Sequence, residues 1–149
     1  MVTALAAAAA VVDPELRVIT IADLGVLRAV HEDHHRVRVE LTPTYAGCPA
    51  MDAIRADVRS ALSDAGYADV EIVTVLSPPW STDMITEAGR VALAGAGIAP
   101  PTRLLTIPPL CPRCGSGRTE QISRFGATAC QSLWRCRECQ EPFDHVRKF

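Results

Sequence analysis

Residues 111–143 read CPRCGSGRTEQISRFGATACQSLWRCRECQEPF, and two Cys-x-x-Cys pairs within them, Cys111 with Cys114 and Cys136 with Cys139, set the architecture of the C-terminal part of the chain. The pairs are 21 residues apart. Four thiolates on two tight turns satisfy a tetrahedral metal, and Gly115, directly after Cys114, supplies the backbone freedom that lets amide N–H groups point at the sulfurs. The alternatives are two disulfides or buried thiols. Neither suits Cys-x-x-Cys spacing on both sides in a chain without an obvious secretion signal. Iron binds through similar Cys-Pro-x-Cys-Gly turns, but nothing else here points to electron transfer, so the expected metal is zinc. Four protein ligands leave no open position for a substrate, which makes the expected ribbon a structural staple or a docking surface. Cys130 lies between the two pairs; it could supplement or replace a ligand, and packing beside the site is the expected role.

The rest of the chain is of a different kind. Residues 101–149 carry eight Lys and Arg against four Asp and Glu, a net of +4, whereas the first hundred carry seven against thirteen, a net of −6. The Pro100-Pro101 and Pro108-Pro109 pairs favour an extended, semi-rigid connection between the two parts. The expected organisation is therefore one module over residues 1–99, a Pro-rich linker over 100–110 and a zinc ribbon over 111–149. At 149 residues, 48% of them hydrophobic, the chain can bury one moderate core plus a small metal-stapled module. No apolar run approaches the roughly 20 residues that span a bilayer. The Ala6 to Ala10 tract lacks a preceding basic residue and reads as a helix start instead of a signal peptide, which implies a cytoplasmic protein.

The first module alternates helix and strand. Residues 2–12 favour helix up to Asp13-Pro14, because the residue before proline is pushed out of the helical region. Strands are expected over Val26 to Glu32 and Arg36 to Thr42, where Val37, Val39 and Leu41 alternate with Arg36, Arg38 and Glu40, and Asp33-His34 should turn the hairpin. Ile54, Val58, Ala61, Leu62 and Ala65 recur at helical spacing up to a C-capping Gly66. A strand follows over Val70 to Leu76. After Pro78-Pro79, Ser81 should cap a helix with Asp83 in its first turn and Ile85, Ala88, Val91 and Ala92 as its apolar stripe. That order gives a small α+β sandwich. Core packing or partner contact are both open to Trp80 and Trp134, and solvent exposure is expected of His31, His34 and His35 at the hairpin.

Cys48 stands in Thr44-Tyr45-Ala46-Gly47-Cys48-Pro49, just ahead of a helix whose free amides and dipole favour a thiolate. It reads as a nucleophile or metal ligand, or else as a small apolar residue at a loop-to-helix junction.

Asp13-Pro14-Glu15, Gly25 and Leu27 before the hairpin, Thr44-x-x-x-Cys48-Pro49 and Pro79-Trp80-Ser81 resemble the MIP-eighteen-type domain of iron-sulfur cluster assembly factors. The C-terminal run, Cys-Pro-x-Cys-Gly-Ser, then Ser123 to Cys130 and Cys136-x-x-Cys139-x-Glu141-Pro142-Phe143, is similar to the PaaD (or PaaJ) family of phenylacetyl-CoA epoxidase components. That resemblance implies an iron-sulfur-assembly fold followed by a β zinc ribbon, and a role in aerobic phenylacetate degradation. The family's epoxidase couples a diiron oxygenase to a reductase with flavin and a [2Fe-2S] centre. PaaD proteins are implied to be non-catalytic maturation factors, assembling or delivering an iron-sulfur cluster or iron to the oxygenase and reductase. The family's reactive position corresponds to Cys48, with Asp13, Glu15 and Thr44 around it. A single carrier thiol per chain implies a transient cluster bridged by a homodimer or by a partner's ligands. Asp13 and Glu15 can equally be structural. Three other readings stand beside this one: a docking component without a cluster; a thiol enzyme using Cys48, for which no base is recognisable; and a nucleic-acid-binding ribbon using Arg113, Arg118, Arg124, Arg135 and Arg137, against which stands the acidic first module.

Overall fold

A computed structural model describes residues 2–101 and 107–147. By its contacts the chain forms two compact units, Met1–Thr86 and Glu87–Phe149.

In the first unit, helix α1 (Ala4–Ala9) starts where the Thr3 hydroxyl accepts a hydrogen bond from the Ala6 amide at 3.1 Å. The helix ends well before Pro14. Tertiary pairing takes over: the Val11 carbonyl accepts from the Ile21 amide and the Asp13 amide donates to the Ile19 carbonyl, so residues 11–13 fold back on the next segment instead of continuing the expected helix. The short α2 (Ile21–Leu24), capped by Thr20, ends at Gly25, whose φ is 85°. A side chain at Gly25 would place its Cβ 2.6 Å from that of Met84, so both the backbone and the space require glycine here.

Strands β1 (Leu27–Asp33) and β2 (Arg36–Leu41) form the expected hairpin. Its turn is His34-His35, one residue later than expected, because Asp33 pairs with Arg36, and His34 takes φ 47°. The side chains of Val37, Val39 and Leu41 are fully buried. Helix α3 (Ala50–Asp64) then crosses over to β3 (Asp69–Thr74), which lies parallel to β2, as a parallel pair requires. The sheet order is β1-β2-β3. Ile54, Val58 and Leu62 point inward from α3, and α1 covers α3 and β1. Trp80 belongs to this core, its Nε1 donating to the Leu24 carbonyl at 2.9 Å.

The segment after Pro79 departs from expectation. Ser81 caps no helix; it leads into a single 3-10 turn, Thr82–Met84, after which Ile85 is extended and buried. Thr86 fixes that extended stretch, its amide donating to the Asp23 carbonyl and its hydroxyl to the Asp23 carboxylate at 2.7 Å.

Helix α4 (Glu87–Gly95) opens the second unit. Its buried face is Gly89 and Leu93, while Ala88 and Val91 of the expected stripe are exposed. Strand β4 (Ile98–Ala99) pairs parallel with β7 (Pro142–Val146), and β5 (Thr119–Ser123) and β6 (Gln131–Cys136) complete a sheet of order β4-β7-β6-β5. This pairing is why α4 and β4 group with the ribbon, so that the compact units divide after Thr86 and not at the prolines near residue 100. Of the expected linker, residues 102–106 lie outside the described residues. Ala99, Cys111, Cys136 and Phe143 form the small buried cluster of the ribbon, with Trp134 against it.

Candidate metal centre and cysteine site

The two Cys-x-x-Cys turns are near copies of each other. After the second cysteine of each comes a left-handed residue, Gly115 at φ 77° and Gln140 at φ 65°. The turns close through Gly115 N–H to the Cys111 carbonyl at 2.9 Å and Cys136 N–H to the Glu141 carbonyl at 3.0 Å. Tilted this way, backbone amides face sulfur: those of Cys139 and Glu138 reach Cys136, that of Glu141 reaches Cys139, and that of Ser116 reaches Cys114. All four Sγ atoms lie within 4.8 Å of one another, with Cys111 to Cys139 at 3.7 Å and Cys114 to Cys136 at 3.5 Å. A tetrahedron of Zn–S bonds near 2.3 Å has edges of about 3.8 Å, so this donor set has the size a zinc-type tetrahedral ion requires. Cys111 and Cys136 are buried, Cys114 and Cys139 exposed.

Without metal the thiols share protons unequally. The Cys139 amide, helped by that of Glu138 and by Cys114, brings Cys136 down to about 7. The Glu141 amide favours the Cys139 thiolate, but burial and the neighbouring thiols Cys111, Cys136 and Cys114 win and push it up to about 12. A divalent cation removes this competition by replacing the shared protons.

Cys130 stands outside this set. Its Sγ is 2.9 Å from the Thr128 hydroxyl, just ahead of β6, whereas Cys136 ends that strand. The group of four sulfurs within 4.8 Å of one another comprises Cys111, Cys114, Cys136 and Cys139. Four of the ribbon arginines face carboxylates: Arg135 and Arg137 both grip Glu120, holding its carboxyl below the ordinary range, Arg118 reaches Glu138 at 2.5 Å and Arg113 reaches Glu141 at 3.9 Å.

In the first unit Cys48 is half-buried ahead of α3, behind Pro49, which occupies the N-cap position without a side-chain hydrogen bond. The Thr44 hydroxyl donates to its sulfur at 4.0 Å and the Ala50 amide also points at it. Asp13 is buried, one carboxylate oxygen accepting from the Glu15 amide at 3.0 Å and the Leu16 amide at 2.7 Å. Burial nonetheless raises its carboxyl above the usual range. Thr44, Asp13 and Glu15 thus all act on the Cys48 thiol, but not with the expected electrostatics. Burial above all, and then the negative charges of Glu15 and Asp13, push the Cys48 thiol up, outweighing the Ala50 amide and the Thr44 hydroxyl. At neutral pH the site holds a thiol beside acidic groups, an arrangement suited to a cation and ill suited to a free thiolate nucleophile.

Sequence reasoning missed Gln140, whose side-chain amide donates to the Arg137 carbonyl at 3.0 Å and so closes the second turn. It also missed His145, whose imidazole faces Trp134. The strict position after Cys139 was the available signal for the first; nothing local marks the second.

A profile described as an iron-sulfur cluster assembly protein matches residues 3–75, and one described as a PaaD zinc beta ribbon domain matches residues 105–147. Over 140 residues the chain is 42% identical to the protein assigned as the D component of the 1,2-phenylacetyl-CoA epoxidase in Escherichia coli (strain K12), covering 91% of this chain and 85% of that protein. This chain belongs to the PaaD family of phenylacetyl-CoA epoxidase components. The first unit of this PaaD family member is also similar to smaller proteins. The Fe-S protein maturation auxiliary factor SufT of Staphylococcus aureus (strain USA300) is 38% identical over 56% of this chain and 96% of its own length. A DUF59 domain of unknown function from Bacillus anthracis superposes with a TM-score of 0.56 at 32% identity, over 60% of this chain and 87% of that structure. The α+β fold with a C-terminal zinc-ribbon region agrees with the sequence-based expectation. No helix among the described residues is long and apolar enough to cross a membrane.

Proposed function

We propose that this protein is a cytoplasmic, non-catalytic maturation factor that assembles or delivers an iron-sulfur cluster, or iron, to the oxygenase and reductase of a phenylacetyl-CoA epoxidase. The observation that carries this reading is the gathering of Cys48, Thr44, Glu15 and Asp13 in a unit similar to iron-sulfur maturation factors, on the same chain as a four-cysteine ribbon.

The two units divide the work. In the ribbon, Cys111, Cys114, Cys136 and Cys139 hold a structural zinc ion; with all four positions taken by protein, the metal fastens the turns and takes no part in chemistry on a substrate. At Cys48 the cargo sits on one thiol per chain, and a carrier should hold its cargo through few ligands so that a client with more can remove it. The nearby carboxylates draw a cation towards the thiol, and cation binding displaces the thiol proton. A cluster needs more thiolates than one chain offers here, so it is bridged by a second copy or completed by the partner.

The paired arginines of the ribbon argue against nucleic-acid binding, since a guanidinium engaged with Glu120, Glu138 or Glu141 offers little to a phosphate. The test is metal and sulfide content with visible absorption of the anaerobically purified protein, wild type beside Cys48→Ser. One zinc per chain in both, with iron and sulfide in the wild type alone, supports the carrier. Zinc alone in both leaves a docking component that carries no cluster, and iron in the ribbon overturns the structural-zinc assignment.

A further inference from the structure

The loop between β5 and β6 is built more firmly than a connection of its length needs. The Gly126 amide donates to the Gln131 carbonyl at 2.8 Å and the Ala127 amide to the Asp144 carboxylate at 3.3 Å. From the other side Arg147 ties the loop down, its backbone amide to the Cys130 carbonyl at 2.8 Å and its Nη1 to the Ala129 carbonyl at 3.2 Å. A Cβ on Gly126 would lie 2.2 Å from Asp144 Oδ1, so any larger residue here would have to push the Asp144 carboxylate aside. This framework buries Cys130 and Gln131 but turns the loop's one aromatic ring outward. Phe125 is 61% exposed, the nearby Ile122 is 52% exposed, and the Arg147 guanidinium lies 5.2 Å from the Phe125 ring centroid.

We propose that this loop, with Phe125 as its apolar anchor and Arg124 and Arg147 beside it, docks an acidic surface of a partner protein. An exposed ring adds nothing to the ribbon core, whereas a ring already held in place loses little freedom on binding, and aromatic residues with arginine are the usual energetic centres of protein interfaces. The choice of partner follows from charge. Residues 121–131 include Arg124, which is exposed, and no acidic residue, and the Asp144 carboxylate accepts from the Ala127 amide. Elsewhere on the ribbon Arg113, Arg118, Arg135 and Arg137 face glutamates of their own sheet or turns, whereas the exposed Arg124 stands on the loop itself. A nucleic-acid platform is the poorer fit, because one face of the ring is covered by Arg147 and base stacking needs open faces.

This proposal rests on the maturation reading only in naming the partner as an epoxidase component. The experiment titrates full-length zinc-loaded wild type, Phe125→Ala and Arg124→Glu against the purified oxygenase and reductase components by biolayer interferometry, at low and moderate salt. Thermal midpoint, zinc content and Cys48-dependent iron content are read on the same preparations. Expected is binding of the wild type to one component, weakened at least about tenfold by either substitution and by added salt, with all three controls unchanged. Binding of both variants as tight as wild type overturns the docking site, and if Cys48-dependent iron persists the maturation reading survives it. Wild type that binds neither component overturns the proposal as well. Phe125-dependent binding of a single-stranded RNA oligonucleotide, with no protein partner, makes the loop a stacking platform and overturns it in favour of nucleic acid. Arg124→Glu keeps the test decisive if Phe125→Ala lowers the thermal midpoint.

Discussion

Trp134 and His145 meet edge to face across β6 and β7, their ring centroids 5.9 Å apart and their planes at 86°. The contact buries His145 Nε2, which has no hydrogen-bond partner, and burial drops the imidazole from 6.5 to about 4. The folded ribbon therefore holds a neutral histidine. Between pH 6.5 and about 4 the unfolded chain carries a proton there that the folded chain does not, so stability rises with pH through that window and the contribution is complete above it. A shift of this size corresponds to about 3 kcal/mol lost on acidification. His145→Phe keeps an aromatic edge against Trp134 and has no polar atom to leave unpaired. Chemical denaturation of the zinc-loaded protein should show the variant at least as stable as wild type at pH 7, with a pH dependence flatter by about 3 kcal/mol at pH 4. Parallel pH profiles for the two proteins would exclude a buried neutral His145.

The two metal turns impose the same left-handed geometry on different residues, Gly115 and Gln140. Glycine adopts it freely; another residue pays about 1 to 2 kcal/mol. Gly115→Ala should therefore cost about 1 kcal/mol and loosen the metal, seen as faster zinc loss to a chromogenic chelator. At Gln140 the strain is already present but is offset by the side-chain bond to the Arg137 carbonyl and by a stiffer unfolded chain. Gln140→Gly should leave stability within about 0.5 kcal/mol of wild type. A large gain would mean that the Gln140 side chain contributes nothing to closing the turn.

Much of this structure was legible because its signals are local. Alternation in Arg36–Leu41 and helical spacing from Ile54 to Leu62 both reflect a single buried face, and the cysteine spacing reflects the bite of one metal. What was not legible depends on long-range pairing. Helix α1 ends early because Val11 and Asp13 find partners at Ile21 and Ile19, and the segment around Ile85 stays extended because Thr86 bonds to Asp23, 63 positions away. At Cys48 the direction of the thiol's acidity was not legible. A helix start suggests a thiolate, and only the folded chain shows that burial, Glu15 and Asp13 outweigh it.

The inward face of α4 offers a direct check on one of these corrections. Leu93 is fully buried and Val91 is 64% exposed, the reverse of the stripe suggested by Val91 and Ala92. Leu93→Ala should cost about 2 to 4 kcal/mol, while Val91→Ala should fall within about 0.5 kcal/mol of wild type. Equal losses from the two substitutions, measured by thermal or urea unfolding, would place the helix in a different register.

Glu15 provides the sharpest test of the Cys48 site, because its charge raises the thiol, whereas the Asp13 carboxylate also accepts the Glu15 and Leu16 amides that close the turn. Glu15→Gln keeps the size of the side chain and removes one negative charge. The Cys48 thiol should then lose its proton more readily, and alkylation by iodoacetamide at fixed pH should quicken roughly two- to fivefold, followed by peptide mass spectrometry with the ribbon cysteines protected as their zinc complex. Iron uptake should move the other way, since the same charge that holds the proton also attracts a cation; weaker ferrous binding alongside faster alkylation is the expected pair of results. Asp13→Asn cannot substitute for this experiment, because it weakens the acceptor for the Glu15 and Leu16 amides and so disturbs the turn itself. If Glu15→Gln leaves the alkylation rate unchanged, Glu15 is not electrostatically coupled to Cys48. If alkylation quickens while ferrous binding holds at the wild-type level, the carboxylate tunes the thiol but takes no part in attracting the cargo.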